Sequence, residues 1–118
     1  MKLYEYQGCD TCRRAKKFLT AHGLAFDALP IREQPPTKPE LKRMLAIYSG
    51  DVRRLFNTSG GDYQALKLAE RLPTLTEAEA LALLAANGNL VKRPFLLTDT
   101  GGLVGFKPPE WERFFVVN

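Results

Sequence analysis

Residues 2–22, KLYEYQGCDTCRRAKKFLTAH, decide the fold of this chain because a strand pattern and a helix pattern meet within them. Residues 2–6 alternate between polar and apolar side chains, which predicts a short β-strand. Residues 12–22 carry apolar side chains at helical spacing, and Gly23 ends the predicted helix. Residues 24–29 alternate again and predict a second strand. A helix that joins two strands indicates parallel pairing through a right-handed crossover.

The middle of the chain is predicted to form a helical insert at about residues 37–86. Residues 30–39 contain four prolines, which indicates a rigid connection to this insert. Thr37 with Glu40, and Thr76 with Glu79, have the spacing of a capping box, which marks the start of a helix. The predicted helices span residues 38–48, a stretch that begins at residue 51, residues 63–72 and residues 77–86.

The last part of the chain predicts a hairpin followed by a helix. Residues 91–98 and 103–106 are apolar runs on either side of Asp99-Thr100-Gly101-Gly102, a typical turn sequence. Pro108 stands near the first position of the final predicted helix. The aromatic residues that this helix is predicted to place in the core are Trp111, Phe114 and Phe115. The element order is therefore β-α-β, a helical insert and β-β-α.

The composition restricts the class of protein. The chain has 118 residues, of which 45% are hydrophobic and 25% are charged, and we predict one α/β domain over residues 1–118. Two cysteines are too few for a disulfide scaffold. Because the sequence shows neither a signal-peptide pattern nor an apolar run of about 20 residues, we expect a cytoplasmic protein without membrane attachment. We also expect a monomer.

The formal net charge of +4 is modest, with 17 basic and 13 acidic residues. The densest basic cluster directly follows the second cysteine and consists of Arg13, Arg14, Lys16 and Lys17. This cluster is either the solvated face of a helix or a source of positive charge for an anionic group near Cys9. No basic stripe is interleaved with aromatic residues, so we expect no direct nucleic-acid binding.

The cysteine pair Cys9-Asp10-Thr11-Cys12 lies where the first strand gives way to the helix. A free cysteine with a pKa near 8.5 is only about 3% thiolate at pH 7, and the thiolate is the nucleophile. A helix N-terminus stabilises negative charge, and Arg13 and Arg14 follow within one turn. We therefore predict that Cys9 is the nucleophile and that Cys12, one turn further on, resolves a mixed disulfide on Cys9.

Three other interpretations of this pair remain open. A zinc site needs about four ligands, and His22 is the only histidine in the sequence. A structural disulfide across so short a loop constrains little of the unfolded chain. The third interpretation is two inert thiols, with Cys12 packed against the sheet. A redox-active pair is favoured because a CxxC motif near a βαβ pattern is typical of thioredoxin-like redox sites.

Several residues occur in the order found in the arsenate reductase family: Tyr4, the loop Gly8-Cys9-Asp10-Thr11-Cys12-Arg13, Asn57-Thr58, and Lys92-Arg93-Pro94 before an apolar strand. Over essentially its whole length the chain resembles this family, which includes glutaredoxin-dependent arsenate reductases, YffB-like reductases and Spx-type transcriptional regulators. The resemblance implies a thioredoxin-like, or glutaredoxin-like, fold with a helical insert.

The resemblance also implies roles for individual residues. Cys9 matches the nucleophilic cysteine, and Arg93 matches an arginine that faces the active site. Pro94 matches a proline that follows a cis peptide bond beside the cysteine loop. Arg13, Pro94 and Lys107 are the expected substrate-binding residues, with Lys107 standing where the family has an arginine before a proline.

The chain departs from the glutaredoxin-dependent reductases at three places. The resemblance implies a need for three arginines around the anion in those enzymes. In this chain, residues 57–60 contain no arginine, and Ser59 stands where many relatives carry one. Lys107 keeps the charge but loses bidentate geometry. Those reductases also usually have only the first cysteine of the pair. Arsenate itself therefore stays open as a substrate.

Two functions follow from these residues. The first is a thiol–disulfide oxidoreductase that acts on a small oxyanion or a glutathione mixed disulfide. It would hold no bound cofactor or metal, with glutathione as a candidate co-substrate and glutaredoxin as a candidate partner. The second is an Spx-type redox-sensing regulator that binds RNA polymerase, because the Cys-x-x-Cys pair resembles that branch, where it acts as a disulfide switch. Gly50 falls close to a glycine that this branch uses to contact the polymerase, although a glycine is also expected at the end of a predicted helix. A domain that keeps the fold without the chemistry is a third alternative.

Overall fold

A computed structural model describes residues 1–116, so the last two residues of the predicted domain, 117–118, lie outside the described residues. It contains a four-stranded sheet in the order β2-β1-β3-β4. The strands are β1 (Lys2–Glu5), β2 (Asp27–Pro30), β3 (Phe95–Leu97) and β4 (Gly102–Val104). The pairing of β1 with β2 is parallel, whereas β1 with β3 and β3 with β4 are antiparallel. This confirms the predicted order of β-α-β followed by β-β-α.

The described helices are α1 (Asp10–Ala21), α2 (Lys38–Ile47), α3 (Gly61–Ala65), α4 (Leu68–Arg71), α5 (Glu77–Ala86) and α6 (Pro108–Val116). Short 3₁₀ turns lie at Val52–Leu55, Leu72–Thr74 and Gly88–Leu90. Both predicted capping boxes are present, at Thr37 with Glu40 and at Thr76 with Glu79. The prediction for α5 agrees with the structure at both ends, and α2 ends one residue earlier than predicted. Local capping signals therefore located these two helices well.

The predicted helix over residues 63–72 is wrong because the chain breaks at Lys67, which adopts a left-handed conformation (φ 52°). Tyr63 and Leu68 are both buried, although a continuous helix would rotate residues five apart by about 140°. The break allows both side chains to enter the same core. The stretch from residue 51 forms only the 3₁₀ turn Val52–Leu55, after which Phe56 forms an isolated bridge with Val91.

Strand boundaries also differ from the prediction. The strand β2 begins at Asp27, where the chain reaches the edge of β1 and the Asp27 N–H donates to the Met1 carbonyl at 2.9 Å. Residues 91–94 are outside β3 because they pair with the insert: the Lys92 N–H donates to the Leu55 carbonyl at 2.8 Å. The strand β4 ends at Val104, since Gly105 has a positive φ of 72° that turns the chain.

Two hydrophobic cores lie on opposite faces of the sheet, as alternation along the strands requires. Leu3, Leu96 and Leu103 pack with α1 and α6 on one face. Tyr4, Phe95 and Val104 pack with α2, α5 and the rest of the insert on the other face. The helices α1 and α6 therefore flank one side of the sheet and the insert covers the other.

The final helix carries the predicted aromatic core residues. Trp111 is fully buried, and its indole N–H donates to the Gly105 carbonyl at 3.0 Å. Phe114 and Phe115 are partly buried against the same core. Across residues 1–116, no helix combines the length and the apolar character that crossing a membrane requires.

Candidate active site

Cys9 occupies the N-cap of α1, and the helix begins at Asp10, two residues before the position at which the sequence pattern predicted it to begin. Its backbone is extended (φ −96°, ψ 119°), and its N–H donates to the Tyr6 carbonyl at 3.0 Å. The Cys9 carbonyl accepts the Arg13 N–H at 3.1 Å, which closes the first helical turn. The half-buried Cys9 side chain therefore lies at the helix end whose free N–H groups favour a negative charge.

Hydrogen bonds and one arginine favour the thiolate of Cys9. Partial burial by itself would raise the pKa of Cys9, but the pKa is lowered by hydrogen bonds from the Cys12 thiol, the Thr11 hydroxyl and the Cys12 N–H. The Thr11 hydroxyl oxygen lies 3.0 Å from the Cys9 sulfur. The positive charge of Arg93 lowers the pKa further. These contacts give the more accessible cysteine the more nucleophilic sulfur.

Cys12 has the opposite environment. Its side chain is fully buried, and burial is the main cause that raises its pKa to about 12. Its hydrogen bond with Cys9 and the negative charges of Cys9 and Glu5 act in the same direction. Both cysteines are free thiols in the structure. The pair therefore consists of a half-buried Cys9 sulfur whose thiolate form is favoured and a buried Cys12 sulfur that stays protonated.

Arg93 is held over the ring of Tyr6, with its guanidinium carbon 5.0 Å from the ring centroid. The peptide bond between Arg93 and Pro94 is cis, as the resemblance predicted. The carbonyl of the buried Pro94 accepts the Gly105 N–H at 2.8 Å, which ties this segment to the end of β4. The side chain whose positive charge lowers the pKa of Cys9 is thus positioned by an aromatic ring and by the neighbouring loop.

A cavity of about 430 Å³ adjoins the cysteine loop. Thr11, Arg93 and Lys107 all line it, so the structure brings two predicted site residues together beside the hydroxyl that contacts Cys9. Lys107 reaches the cavity from the link between β4 and α6. The position expected for an arginine of the family is therefore occupied by an ammonium group at the same cavity.

Sequence reasoning missed three further cations of this cavity, which are Arg53, Arg54 and Lys92. The first two come from the 3₁₀ turn Val52–Leu55 of the insert, which folds back towards β4. The signal available in the sequence was the Arg-Arg pair shortly after Gly50. This pair did not indicate where in the fold the two arginines lie, because only the tertiary packing of the insert places the turn near the cysteine loop.

Neither Arg13 nor Arg14 lines the cavity. Arg13 donates to the Gln7 carbonyl at 3.2 Å and to an Asp10 carboxylate oxygen at 3.3 Å, on the exposed side of α1. Arg14 lies over the ring of Phe106. The charge that lowers the pKa of Cys9 comes from Arg93 instead. A substrate-binding role for Arg13 stays a prediction.

Residues 57–60 lack the arginine of the glutaredoxin-dependent reductases, but another guanidinium lies nearby. Arg32 lines a smaller cavity of about 260 Å³ together with Asn57, Gly60 and Arg93. Its guanidinium carbon lies 4.9 Å from the centroid of the Tyr6 ring, the same ring that Arg93 contacts. The loop after β2 therefore supplies a cation that the sequence pattern did not indicate.

His22 lies at the far end of α1, where it is the C-cap residue. It is exposed, stacks on Phe18 with 4.0 Å between ring centroids, and its Nδ1 lies 2.9 Å from the Phe18 carbonyl oxygen. Within residues 1–116, no three His, Cys, Asp or Glu side chains are grouped so that they could hold a metal ion. The described part of the chain therefore contains no set of ligands that would support the zinc interpretation.

Three features of the chain can be compared with known proteins. They are the cysteine loop, the cis proline and the element order of β-α-β, helical insert and β-β-α. A model of the ArsC family matches residues 4–114. The chain belongs to the ArsC family. An ArsC-family-related protein from Bacteroides fragilis is 46% identical, with a TM-score of 0.89 over 95% of this chain and 94% of its own. A possible arsenate reductase from Streptococcus mutans is 35% identical, with a TM-score of 0.85 over 94% and 96%.

Relatives of this ArsC-family protein include an uncharacterized protein and transcriptional regulators. The uncharacterized protein YusI of Bacillus subtilis is 43% identical over 95% of both chains. The global transcriptional regulator Spx of Streptococcus agalactiae serotype V is 28% identical over 95% of this chain and 80% of its own length. These similarities confirm the family and the thioredoxin-like fold that the sequence resemblance implied.

Proposed function

We propose that this ArsC-family protein is a thiol–disulfide oxidoreductase in which Cys9 is the nucleophile and Cys12 the resolving cysteine. The observation that carries the proposal is the arrangement of the pair: Cys9 is half-buried at the N-cap of α1 beside Thr11, and Cys12 is fully buried one turn behind it. The helix N-terminus, the Thr11 hydroxyl and Arg93 all favour the thiolate of one sulfur, and such an environment is typical of reactive cysteines and not of inert ones.

The reaction has two exchange steps. The Cys9 thiolate attacks a disulfide RS–SR′, which forms a Cys9–SR mixed disulfide and releases R′S⁻. Cys12 then loses its proton, and its thiolate attacks the Cys9 sulfur. This step forms the Cys9–Cys12 disulfide and releases RS⁻. Two further thiols, from glutathione or a glutaredoxin, would reduce the protein disulfide and become oxidised in turn.

Arg93 and Lys107 would stabilise negative charge on the substrate beside Cys9, as guanidinium and ammonium groups do for carboxylates and oxyanions. Glutathione mixed disulfides fit this role, and a small oxyanion such as arsenate is the alternative substrate. We expect the protein to work without a bound cofactor, in the reducing environment of the cytoplasm.

The test is NADPH consumption coupled through glutathione, glutathione reductase and glutaredoxin, with arsenate and a glutathione mixed disulfide as separate substrates. Wild type is compared with Cys9→Ser and Cys12→Ser. We expect turnover that requires Cys9, with Cys12→Ser slowed at the resolving step. Turnover above the rate without this protein that survives in Cys9→Ser would exclude the proposal.

A second function is a redox-sensing regulator that binds RNA polymerase, and the similarity to a global transcriptional regulator favours it. In this case the Cys9–Cys12 disulfide would change a binding surface without turnover. Gly50, which is exposed at the turn after α2 with a φ of 83°, would belong to that surface. Co-purification with RNA polymerase in only one redox state would support this function. Failure to bind in both states would exclude it.

A further inference from the structure

The cavity beside the cysteine loop is larger than a single oxyanion requires. Its volume of about 430 Å³ falls within the range of small-molecule sites, about 300–1,000 Å³. One side begins at Thr11, whose hydroxyl lies 3.0 Å from the Cys9 sulfur. Another side is formed by Arg53 and Arg54 of the insert. A ligand that reacts at Cys9 therefore has room to extend towards the insert.

The charges that line this cavity are strongly unbalanced. Five cations contribute to the lining, and Asp51 is the one acidic residue among the lining residues. The five are Arg53, Arg54, Lys92, Arg93 and Lys107. Within the described residues 1–116, none of these five forms an ion pair with a carboxylate. A concave surface whose lining charges are mostly unpaired and of one sign attracts ligands of the opposite sign.

Arg54 is held in place before any ligand arrives. Its guanidinium carbon lies 4.5 Å from the centroid of the Tyr48 ring. The Tyr48 hydroxyl in turn accepts the Val104 N–H at 3.0 Å and donates to a Glu110 carboxylate oxygen at 3.3 Å. Because stacking and these two hydrogen bonds fix the position of the arginine, a ligand would pay less entropy to bind it.

We infer that Arg53 and Arg54 form a second anion subsite, so that the disulfide reduced at Cys9 carries an anionic group remote from its reacting sulfur. This inference rests on the proposed function and narrows its substrate to a disulfide of a small thiol with a remote carboxylate. The Cys9 thiolate attacks the near sulfur, one thiolate leaves, and the half that stays as the mixed disulfide keeps its carboxylate at the insert.

The experiment compares two aromatic disulfide probes of similar size in a Cys12→Ser background, where only Cys9 reacts. Dithiobis(nitrobenzoate) has a carboxylate on each ring, and dithiodipyridine has none. The release of the coloured thiol is followed by stopped flow, and the ratio of the two rate constants is the measured quantity. A variant that is partly misfolded changes both rates, so the ratio isolates the charge effect.

The test variant is Arg53→Gln with Arg54→Gln, and the matched control is Lys17→Gln with Lys42→Gln, which removes two exposed positive charges outside the cavity. We expect the preference for the carboxylate probe to fall roughly tenfold in the test variant, as for the loss of charge-assisted contacts, and to persist in the control. Added salt should weaken the preference of the parent protein.

Two results would overturn the subsite. One is an unchanged ratio in the Arg53→Gln, Arg54→Gln variant, and the other is an equal decrease in the lysine control, which would indicate long-range attraction alone. The proposed function fails separately, if Cys9 reacts with dithiodipyridine no faster than free cysteine does.

Discussion

The guanidinium of Arg93 lies over the ring of Tyr6, and the carbonyl of the same Tyr6 accepts the N–H of Cys9. Tyr6 thus contacts both the guanidinium of Arg93 and the backbone of Cys9, whose thiolate this guanidinium stabilises. Arg32 contacts the same ring, so the tyrosine carries two guanidinium groups. Stacking on an aromatic face restricts where a guanidinium can lie. The position of Arg93 relative to Cys9 is therefore set by Tyr6.

Replacement of Tyr6 should change the reactivity of Cys9 through Arg93. We expect Tyr6→Leu to raise the pKa of Cys9, because Arg93 loses its stacking partner and no longer holds its charge near the sulfur. Tyr6→Phe keeps the ring and should behave as wild type. The pH dependence of Cys9 alkylation by iodoacetamide, followed by mass spectrometry, measures this pKa. Equal values in both variants would show that stacking does not position Arg93.

The hydroxyl of Thr11 should account for a separate part of the low Cys9 pKa. Thr11→Val removes a donor 3.0 Å from the sulfur at nearly constant volume, so the pKa of Cys9 should rise. Thr11→Ser keeps the hydroxyl and is the matched control. The thiolate absorbance in the ultraviolet, titrated against pH, is the measurement. A rise of the same size in Thr11→Ser would assign the effect to packing.

The high pKa of Cys12 predicts a slow second step that accelerates with pH. With dithiobis(nitrobenzoate), wild type should release two coloured thiolates per protein and Cys12→Ser only one. The second release should become faster as the pH rises towards the pKa of Cys12, because only its thiolate attacks. In the mixed disulfide Cys9 no longer has a charge, so this pKa should lie below 12. A second release that is independent of pH would argue against resolution by Cys12.

Trp111 should contribute strongly to stability because it is fully buried and its N–H donates to the Gly105 carbonyl. Trp111→Phe keeps an aromatic ring but leaves that carbonyl without this donor. We expect the free energy of unfolding in urea to fall by about 1–3 kcal/mol. Exposed Glu112→Gln on the same helix is the control and should differ little from wild type. If the control lost a similar amount of unfolding free energy, the effect would come from general destabilisation of the helix and not from the lost indole N–H.

Glu40 should make stability depend on pH. Partial burial opposes ionisation of Glu40, but the Thr37 N–H, the Tyr4 hydroxyl at 2.7 Å and Lys2 lower its pKa in the folded state. A lowered folded-state pKa stabilises the fold above the unfolded-state pKa, and this contribution is lost as the pH falls through the folded-state value. Glu40→Gln should therefore be less stable than wild type at pH 7, by about 1 kcal/mol.

The measurement for Glu40 is urea unfolding of wild type and Glu40→Gln at several pH values. The difference in free energy should shrink as the medium becomes acidic and disappear below the folded-state pKa. Exposed Glu33→Gln, which lacks a charged partner among the described ion pairs, is the control. A difference that stays constant with pH would mean that shape, and not charge, explains the effect.

The parts of the fold that the sequence predicted best are those with local signals. Both capping boxes located their helices because the side chain of the N-cap residue and the N3 carboxylate satisfy backbone groups only three residues away. The single helix predicted over residues 63–72 failed for the opposite reason. Its break at Lys67 allows Tyr63 and Leu68 to reach one core, and that core includes residues from distant parts of the chain.

By itself, the sequence determined the element order, the two capped helices and the position of the cysteine pair at a strand-to-helix junction, and its resemblance to the arsenate reductase family implied the cis peptide before Pro94. These features depend on neighbours along the chain or on a motif with a fixed local conformation. Only the tertiary structure decided that Arg93 and Lys107, which the family resemblance indicated, share one cavity beside the cysteine loop with cations of the insert. Arg93 comes from the segment before β3, Lys107 from the link to α6, and Arg53 and Arg54 from the insert, so packing alone brings them to one cavity.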